Sequence, residues 1–541
     1  MTLPRKRNVT ALTVSLLLIG LYFYLWNRYA INIPKWDDHP LKGFVIDYDN
    51  ASKISDKIAL IVRQHNEHRI GLTRLATLID FKIFGELNYK HLMLFGNLAL
   101  VLIWLLLTRF FRQTIASFWY ALPVVMFWFS LAFWENTFWG MASVQNMWVV
   151  ALTLWSCWII AQNDRYWAWG IAVAAAAFYT SGNGVLVLPI GLLILILQKN
   201  WLRAGVFGLS SAVILASYFY HFQTPPANIN TVFDFKIFIK GYLLLCGSLA
   251  EGLPFSQPQQ SLLWVGFLTL FVSFCLLLYI FRSYVTKQLQ LSAYDSFFLG
   301  ATLFALLTIG IVAYSRAGVG LQFLLTSRYK LYSALLFSLN FAYLITLVSP
   351  KFRDALTATF LVATGYLYVC NQHYHLYDTI QLRKYLITSH FNAYNETSTP
   401  QKIQVYRTPK LFTDKLPLVE FDSSQNQKPC AITNNHLVLA QPNYRLRDWR
   451  DGGLYLYLYN NKRRYLFPTN QARKHSFRNV LNYNRFFIKG STVTVDGSEV
   501  EPGQYQLQWV SYSGKSLTLA PTNCLTATFT PVIQKEIKKN W

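Results

Sequence analysis

The sequence predicts an α-helical polytopic membrane protein of about 11 transmembrane helices, followed by a C-terminal β-rich domain. Three observations predict this class. Only 14% of the 541 residues are charged and 53% are hydrophobic, whereas about a quarter of the residues of a soluble protein are charged. Apolar runs such as 98–107 and 185–197 are typical of membrane-spanning helices. The composition changes abruptly after residue 372, where charged residues and turn sequences become frequent.

The apolar segments set the order of the spans. The first span is expected to be retained, because the basic start of the chain resembles a signal peptide but no small-residue cleavage site follows. The predicted spans are 9–26, 91–108, 116–134, 146–162, 166–180, 184–198, 204–220, 262–281, 296–314, 331–348 and 355–372. With the N-terminus in the cytoplasm, the cytoplasmic segments hold 12 Lys or Arg against 3 acids. This charge balance obeys the positive-inside rule and places the C-terminus outside.

The segment 235–252 is also apolar enough to suggest a twelfth span. Counting it as a span would reverse every later loop and move the basic segment 281–288 outside. The sequence therefore favours an interfacial or re-entrant helix here.

Residues 1–372 form the predicted transmembrane domain, and residues 373–541 form the predicted outer domain. Apolar and polar residues alternate at 454–459 and 505–512, which indicates β-strands. Cys430 and Cys524 both lie in this domain and can form a disulfide if its compartment is oxidising. The other four cysteines fall in or beside apolar helices, where we expect packing roles: Cys157, Cys246, Cys275 and Cys370.

The outer domain is strongly basic. It carries 22 Lys or Arg against 11 Asp or Glu, and 11 of these bases lie within 445–489. This basic stretch is compatible with anionic membrane lipids, with an acidic glycan acceptor, or with a solvated face that has no partner. Nucleic acid is not an expected partner outside the cell.

The first outer loop, about 27–90, contains two groups of ionisable residues. The stretch "PKWDDHPLKG" (34–43) places Asp37 and Asp38 side by side. Read as a helix, the segment 56–91 aligns His65, His68, Leu72, Leu75 and Ile79 on one stripe, and Arg63 and Glu67 lie four residues apart. This predicts an amphipathic helix on the outer membrane surface, either with a functional polar cluster or with charges that simply face water.

A third charged group lies between the ninth and tenth predicted spans. Arg316, Arg328 and Lys330 occur there without an acid, in the one short outer loop that departs from the charge rule. They either reach toward lipid phosphates as anchors or form a clamp for a bound phosphate.

These motifs and their layout resemble the polytopic glycosyltransferases of the GT-C superfamily, which use lipid-linked sugar donors. The resemblance covers about residues 1–372 and rests on the early Asp pair, the surface helices of the first loop, the many spans and the outer C-terminal domain. The combination of "WDDH" with "QHNEHRI" is similar to a group of bacterial membrane proteins of unknown activity. Protein mannosyltransferases and the aminoarabinose transferase of lipid A resemble this layout more distantly.

The resemblance implies a function. A sugar would move from a polyprenyl-phosphate donor to a hydroxyl of an extracytoplasmic glycan or lipid, at the bacterial inner membrane and with inversion at the sugar carbon. Asp37 or Asp38 would be the general base that takes the proton of the hydroxyl. Arg316, Arg328 and Lys330 would hold the phosphate, and Arg69 and Arg74 are further candidates for this role. Other residues expected around the substrate are His39, His65, Glu67, His68, Glu135 and Tyr329.

Cofactor use and two rival functions remain open. Some members of the superfamily use a divalent cation (Mg²⁺ or Mn²⁺) and others do not, and no zinc-protease signature is present. We expect His39, His65 and His68 to contact substrate or to support the fold rather than to bind metal. The first rival is an oligosaccharide ligase or polymerase that uses pyrophosphate-linked glycans. The second is a lipid or glycan transporter, which usually has charges within its spans.

Overall fold

The computed structural model describes residues 3–115, 117–223, 233–286, 291–394, 405–417, 429–446, 448–474, 476, 480, 486–514 and 516–530. The chain divides into two compact units. The first comprises Met1–Ala30 and Pro34–His375, and the second comprises Ile31–Ile33 and Leu376–Trp541. A catalytic role for the first unit and an extracytoplasmic position for the second stay predictions.

The first unit is helical. Its helices up to residue 112 are α1 Leu3–Tyr29, α2 His39–Asn50, α3 Ile54–Val62, α4 Gly71–Phe84 and α5 Tyr89–Arg112. The next group is α6 Leu122–Trp128, α7 Trp134–Thr137, α8 Gly140–Ala142, α9 Trp148–Gln162, α10 Trp169–Thr180, α11 Val187–Leu197 and α12 Trp201–Phe219. The last are α13 Phe235–Gly247, α14 Pro258–Thr286, α15 Ala293–Arg316, α16 Lys330–Leu347 and α17 Pro350–Tyr394, which continues into the second unit.

Eight helical segments of the described chain are long and apolar enough to cross a membrane. They are Lys6–Tyr29, Tyr89–Arg112, Phe118–Thr137, Gly140–Gln162, Trp201–Phe219, Pro258–Thr286, Ala293–Arg316 and Ser327–Leu347. The predicted spans 166–180 and 184–198 correspond to shorter apolar helices, Trp169–Thr180 and Gly182–Leu197. At 1.5 Å per residue, α10 is only about 18 Å long, against about 30 Å of hydrocarbon. The last predicted span, 355–372, lies within α17.

The segment 235–252 forms α13 and a 3₁₀ turn, Ser248–Gly252. With 13 residues, α13 is about 20 Å long, which is less than a span requires. It packs very closely against α14, because a Cβ atom on Gly247 would collide with the backbone of Leu262 and one on Gly266 with that of Leu243. Small residues at a helix contact allow this approach.

The predicted helical stripe through His65 and His68 is wrong. Residues 64–69 form a β-hairpin of β1 Gln64–His65 and β2 His68–Arg69, in which His65 and His68 are paired across the strands. Asn66 sits at the turn with a φ of 50°, a left-handed conformation that asparagine tolerates better than most residues. The helix begins only at Gly71.

Tertiary contacts of Arg69 explain why residues 64–69 form a hairpin and not part of a helix. Its guanidinium donates to the carbonyl oxygens of Val62 at 2.5 Å and of Tyr218 and Tyr220 at 2.6 Å each, at the ends of α3 and α12. The predicted pair of Arg63 with Glu67 is also wrong, because Arg63 lies 3.5 Å from Asp47 and Glu67 lies 3.9 Å from Arg316.

The second unit contains two antiparallel four-stranded sheets. Its strands are β3 Ile432–Thr433, β4 His436–Gln441, β5 Gly453–Tyr459, β6 Arg464–Pro468, β7 Asn470–Arg473, β8 Phe487–Asp496, β9 Gly503–Tyr512 and β10 Leu517–Phe529. The strand orders are β10-β9-β5-β6 and β3-β4-β8-β7. Alternate side chains from both sheets share one apolar core, for example Leu437, Val493, Leu456 and Trp509.

The predicted alternation of β5 does not produce an exposed face, because every residue of β5 is buried. The C-terminal part of α17 covers the other side of this sheet. Phe391 packs on Tyr457 with the ring centroids 6.4 Å apart. The side chain of Asn392 makes two hydrogen bonds to the backbone of Leu466, donating at 3.1 Å and accepting at 2.7 Å.

The disulfide expected in an oxidising compartment is present between Cys430 and Cys524, with a Cα–Cα distance of 5.1 Å. The bond joins residues 94 positions apart. The backbone N–H of Cys430 also donates to the carbonyl of Thr526 at 2.7 Å. The crosslink therefore joins the segment just before β3 to β10, and these two strands belong to different sheets.

Replacing both cysteines with serine is expected to destabilise the second unit by about 2 to 4 kcal/mol, because a crosslink over a long loop restricts the unfolded chain. Urea-dependent proteolysis of the full-length protein, followed at cleavage sites in 376–541, measures this change. The control is Cys275→Ser, since Cys275 is an exposed free thiol of α14. An unchanged urea midpoint in the double variant would contradict the prediction.

Candidate active site

Asp38 is buried and both of its carboxylate oxygens are engaged by backbone. Oδ2 accepts the N–H of Lys35 at 3.0 Å, and Oδ1 accepts the N–H of Met141 at 2.7 Å. A Cβ atom on Gly140 would lie 3.2 Å from Oδ1, so the absence of a side chain there permits this approach. Burial raises the pKa of Asp38 to about 7, although the two N–H groups act in the opposite direction. Asp38 thus joins the first loop to the segment before α9.

Asp37 is different from its neighbour. It is half-buried, and its carboxylate has no hydrogen bond or ion pair with any part of the chain that the structure describes. Its charge adds to the rise that burial causes in the pKa of Asp38, and it opposes the larger lowering that burial causes in the pKa of His65. The 3₁₀ turn Trp36–Asp38 therefore holds one carboxylate in the protein and leaves the other available.

Lys35 is a buried cation that the sequence did not indicate. Its ammonium lies over the rings of Trp36 at 4.2 Å, Trp139 at 4.5 Å and Trp134 at 5.8 Å. It is 3.7 Å from the carboxylate of Glu135. Burial lowers the pKa of Lys35 to about 8, while Glu135 acts to raise it. Lys35 is thus held by aromatic faces and one acid.

Glu135 connects the first loop to the segment before α16. Its carboxylate accepts the hydroxyl of Ser327 at 3.1 Å and lies 3.9 Å from Nε of Arg328. The N–H of Glu135 donates to the Ser327 hydroxyl at 2.9 Å. A single buried carboxylate therefore faces two cations, Lys35 and Arg328.

Arg328 has donors that no hydrogen bond occupies. Its side chain is about one third exposed, and its buried Nε makes no hydrogen bond within the described part of the protein. The guanidinium lies 5.5 Å from the ring of Trp139 and 5.8 Å from that of Tyr329. These contacts orient the fork of an arginine that can still bind an anion.

Lys330 and Arg316 have acid partners. The ammonium of Lys330 is buried, forms an ion pair with Glu251 and lies 3.2 Å from Nε2 of His375. Arg316 is about half exposed and pairs with the equally exposed Glu67 at 3.9 Å. Of the three predicted phosphate-binding cations, Arg328 is therefore the one that lies in the same network as Asp38 and Lys35.

The remaining predicted residues lie in three settings. Arg69 and Arg74 donate to backbone carbonyls of the first loop, so their guanidinium groups support the fold of that loop. His39 is exposed at the start of α2, where its Nδ1 lies 2.9 Å from the ammonium of Lys42. Burial lowers the pKa of both His65 and His68. His68 packs on Gly182, where a Cβ atom would lie 2.6 Å from its Nδ1.

The geometry brings together parts of the chain that are far apart in sequence. Lys35, Asp38, Glu135, Ser327 and Arg328 form one contiguous network where α1 ends and α16 begins. No group of three or more His, Cys, Asp or Glu side chains suited to a metal ion occurs among the described residues.

The fold and this network define a multi-pass helical membrane protein with a buried charged centre and a β-sheet unit. Comparison with known protein families, with curated proteins and with solved structures finds no match for the chain.

Proposed function

We propose that the chain is a membrane glycosyltransferase of GT-C-like design. It transfers a sugar from a polyprenyl-phosphate donor to a hydroxyl group of an extracytoplasmic glycan or lipid. In this proposal the membrane is the bacterial inner membrane, the N-terminus is cytoplasmic and the second unit is extracytoplasmic. The disulfide between Cys430 and Cys524 supports an oxidising location for that unit.

The arrangement of Asp37 and Asp38 is the observation that carries the proposal. A hydroxyl becomes a competent nucleophile when a positioned base accepts its proton. Asp37 has an open carboxylate, and the backbone hydrogen bonds of Asp38 hold the turn that presents it. Asp37 is therefore assigned the role of base, and Asp38 the role of a positioning residue.

Arg328 supplies the other requirement of the reaction. The departing polyprenyl phosphate carries negative charge, and a preorganised guanidinium stabilises that charge as the bond to the sugar breaks. Glu135 and Trp139 hold Arg328 in place without occupying its hydrogen-bond donors. The half-exposed Arg316 is available to a phosphate only if it leaves Glu67, and Lys330 only if it leaves Glu251.

The test is sugar transfer by the purified full-length protein in liposomes. Radiolabelled polyprenyl-monophosphate sugars are compared with pyrophosphate-linked oligosaccharides, with protein-free liposomes as the control. We expect label to move into an acceptor from a monophosphate donor. Transfer from pyrophosphate-linked donors alone would identify a ligase or polymerase instead. Movement of labelled lipid across the bilayer without transfer would identify a transporter.

A further inference from the structure

Trp36 is an exposed aromatic residue held in an unusual conformation. Its φ is 42°, and the left-handed region is an outlier for a bulky residue with a Cβ atom. The side chain is nonetheless 54% exposed. Burial of the indole therefore does not account for the conformation, and strain of this kind concentrates where a side chain has a binding role.

The indole has a fixed environment on one side. The ammonium of Lys35 lies 4.2 Å from its ring centroid, and Trp139 packs edge to face at 5.4 Å. Trp139 is itself buried. The ring of Trp36 therefore packs on one side against the buried Lys35 ammonium and the buried Trp139 ring. The rest of its surface is exposed to solvent.

The position of Trp36 in the chain places it beside the proposed base. Trp36, Asp37 and Asp38 form one 3₁₀ turn. A molecule whose hydroxyl approaches Asp37 therefore passes over or beside this indole. Sugar rings suit such a surface, because their C–H faces pack on an aromatic ring while their hydroxyl groups stay free at the edge for hydrogen bonding.

We propose that Trp36 is the stacking surface for the acceptor, and that the acceptor presents its hydroxyl group on a sugar ring. This inference rests on the proposed function for the role of Asp37. It narrows the acceptor from any hydroxyl-bearing lipid or glycan to one with a sugar at the reacting end. The charged neighbours Lys35, Asp37 and Asp38 favour a polar ligand with an apolar face over the acyl chain of a lipid.

Binding is measured first, because it does not require transfer. Saturation-transfer difference NMR of the detergent-purified protein uses methyl glycosides of glucose, galactose, mannose and arabinose as probes. We expect at least one glycoside to receive saturation from the wild-type protein. Trp36→Ala should abolish the signal, Trp36→Phe should retain part of it, and Trp264→Ala should leave it unchanged, since Trp264 is a 66% exposed residue of α14.

Kinetics then distinguish an acceptor surface from a membrane anchor, since exposed tryptophan is also common at membrane interfaces. With octyl glycosides as acceptors, Trp36→Ala should raise the acceptor KM about tenfold and leave the donor KM unchanged. An equal rise in both KM values would assign Trp36 to the lipid interface and overturn the inference. Signals that are identical in the wild type and in Trp36→Ala would overturn it as well.

The two proposals fail separately. If the wild-type protein transfers sugar but Trp36→Ala behaves like the wild type, only the stacking role is lost. If the wild-type protein binds glycosides but transfers no sugar, and Trp36→Ala abolishes the binding, the sugar-binding role of Trp36 is kept and the proposed transfer reaction is rejected. Trp36→Gly guards against misfolding, because glycine adopts a φ of 42° without strain.

Discussion

Replacement of Asp37 with asparagine is expected to lower the rate of sugar transfer by about 100- to 10,000-fold, the contribution of a positioned general base. The amide cannot accept the proton of the acceptor hydroxyl group. Stability should not fall, because the Asp37 carboxylate makes no hydrogen bond within the described residues and its charge repels that of Asp38. Initial rates at saturating donor and thermal unfolding of the same preparations provide the two measurements.

Asp38→Asn is the matched control, since the two residues are adjacent and the substitution is the same. Here the NH₂ group of asparagine must face a backbone N–H donor, either that of Lys35 or that of Met141. We expect a loss of stability of about 1 to 3 kcal/mol, the cost of an unsatisfied buried donor. If Asp38→Asn is stable and inactive while Asp37→Asn is active, the roles of the two residues are reversed.

The division between the two aspartates illustrates what the sequence could predict. The adjacent acids after the first apolar helix are visible as a pattern in a chain with few charged residues. Which of them is free depends on the N–H of Met141, 103 positions away from Asp38. Periodicity and composition carry no information about such a contact.

The same reasoning applies to the elements of the fold. The apolar runs of α1, α5 and α14 are predictable, because the hydrophobicity of a long segment is a local property. The hairpin at 64–69 is not, because Arg69 leaves the helical path to reach the carbonyls of Tyr218 and Tyr220 at the end of α12. Tertiary contacts override the local 3.6-residue pattern there.

Lys35 and Glu251 were missed for a related reason. A single lysine before a tryptophan and a single glutamate at the end of an apolar helix have no spacing that marks them. Their significance appears only when Glu135 reaches Lys35 and when Lys330 reaches Glu251. The scarcity of acids in the chain is the one signal that could have directed attention to Glu135 and Glu251 together.

Glu135 should therefore be critical for stability. Glu135→Gln removes the one carboxylate between Lys35 and Arg328, whose side chains are 3% and 32% exposed. We expect a loss of about 1 to 3 kcal/mol, because Lys35, with a pKa of about 8, can release its proton at pH 7 for about 1.4 kcal/mol, and Arg328 keeps part of its hydration. Denaturant unfolding in mixed micelles at pH 7 measures the loss. Glu67→Gln breaks an exposed pair instead and should cost less than about 1 kcal/mol.

The pH dependence of this loss identifies its cause. The pKa of Lys35 is already lowered to about 8 from 10.5, so at pH 7 the folded protein bears the cost of a buried ammonium. Removing Glu135 lowers this pKa further, which makes the cost greater at pH 7. At pH 9 Lys35 is neutral in both folded proteins, so the difference in stability between Glu135→Gln and the wild type should shrink.

A second substitution, Lys35→Met, should restore the stability of Glu135→Gln at pH 7, since an apolar side chain needs no partner. A difference that is the same at pH 7 and pH 9, with no rescue by Lys35→Met, would show that Glu135 acts through Ser327 or Arg328 and not through Lys35.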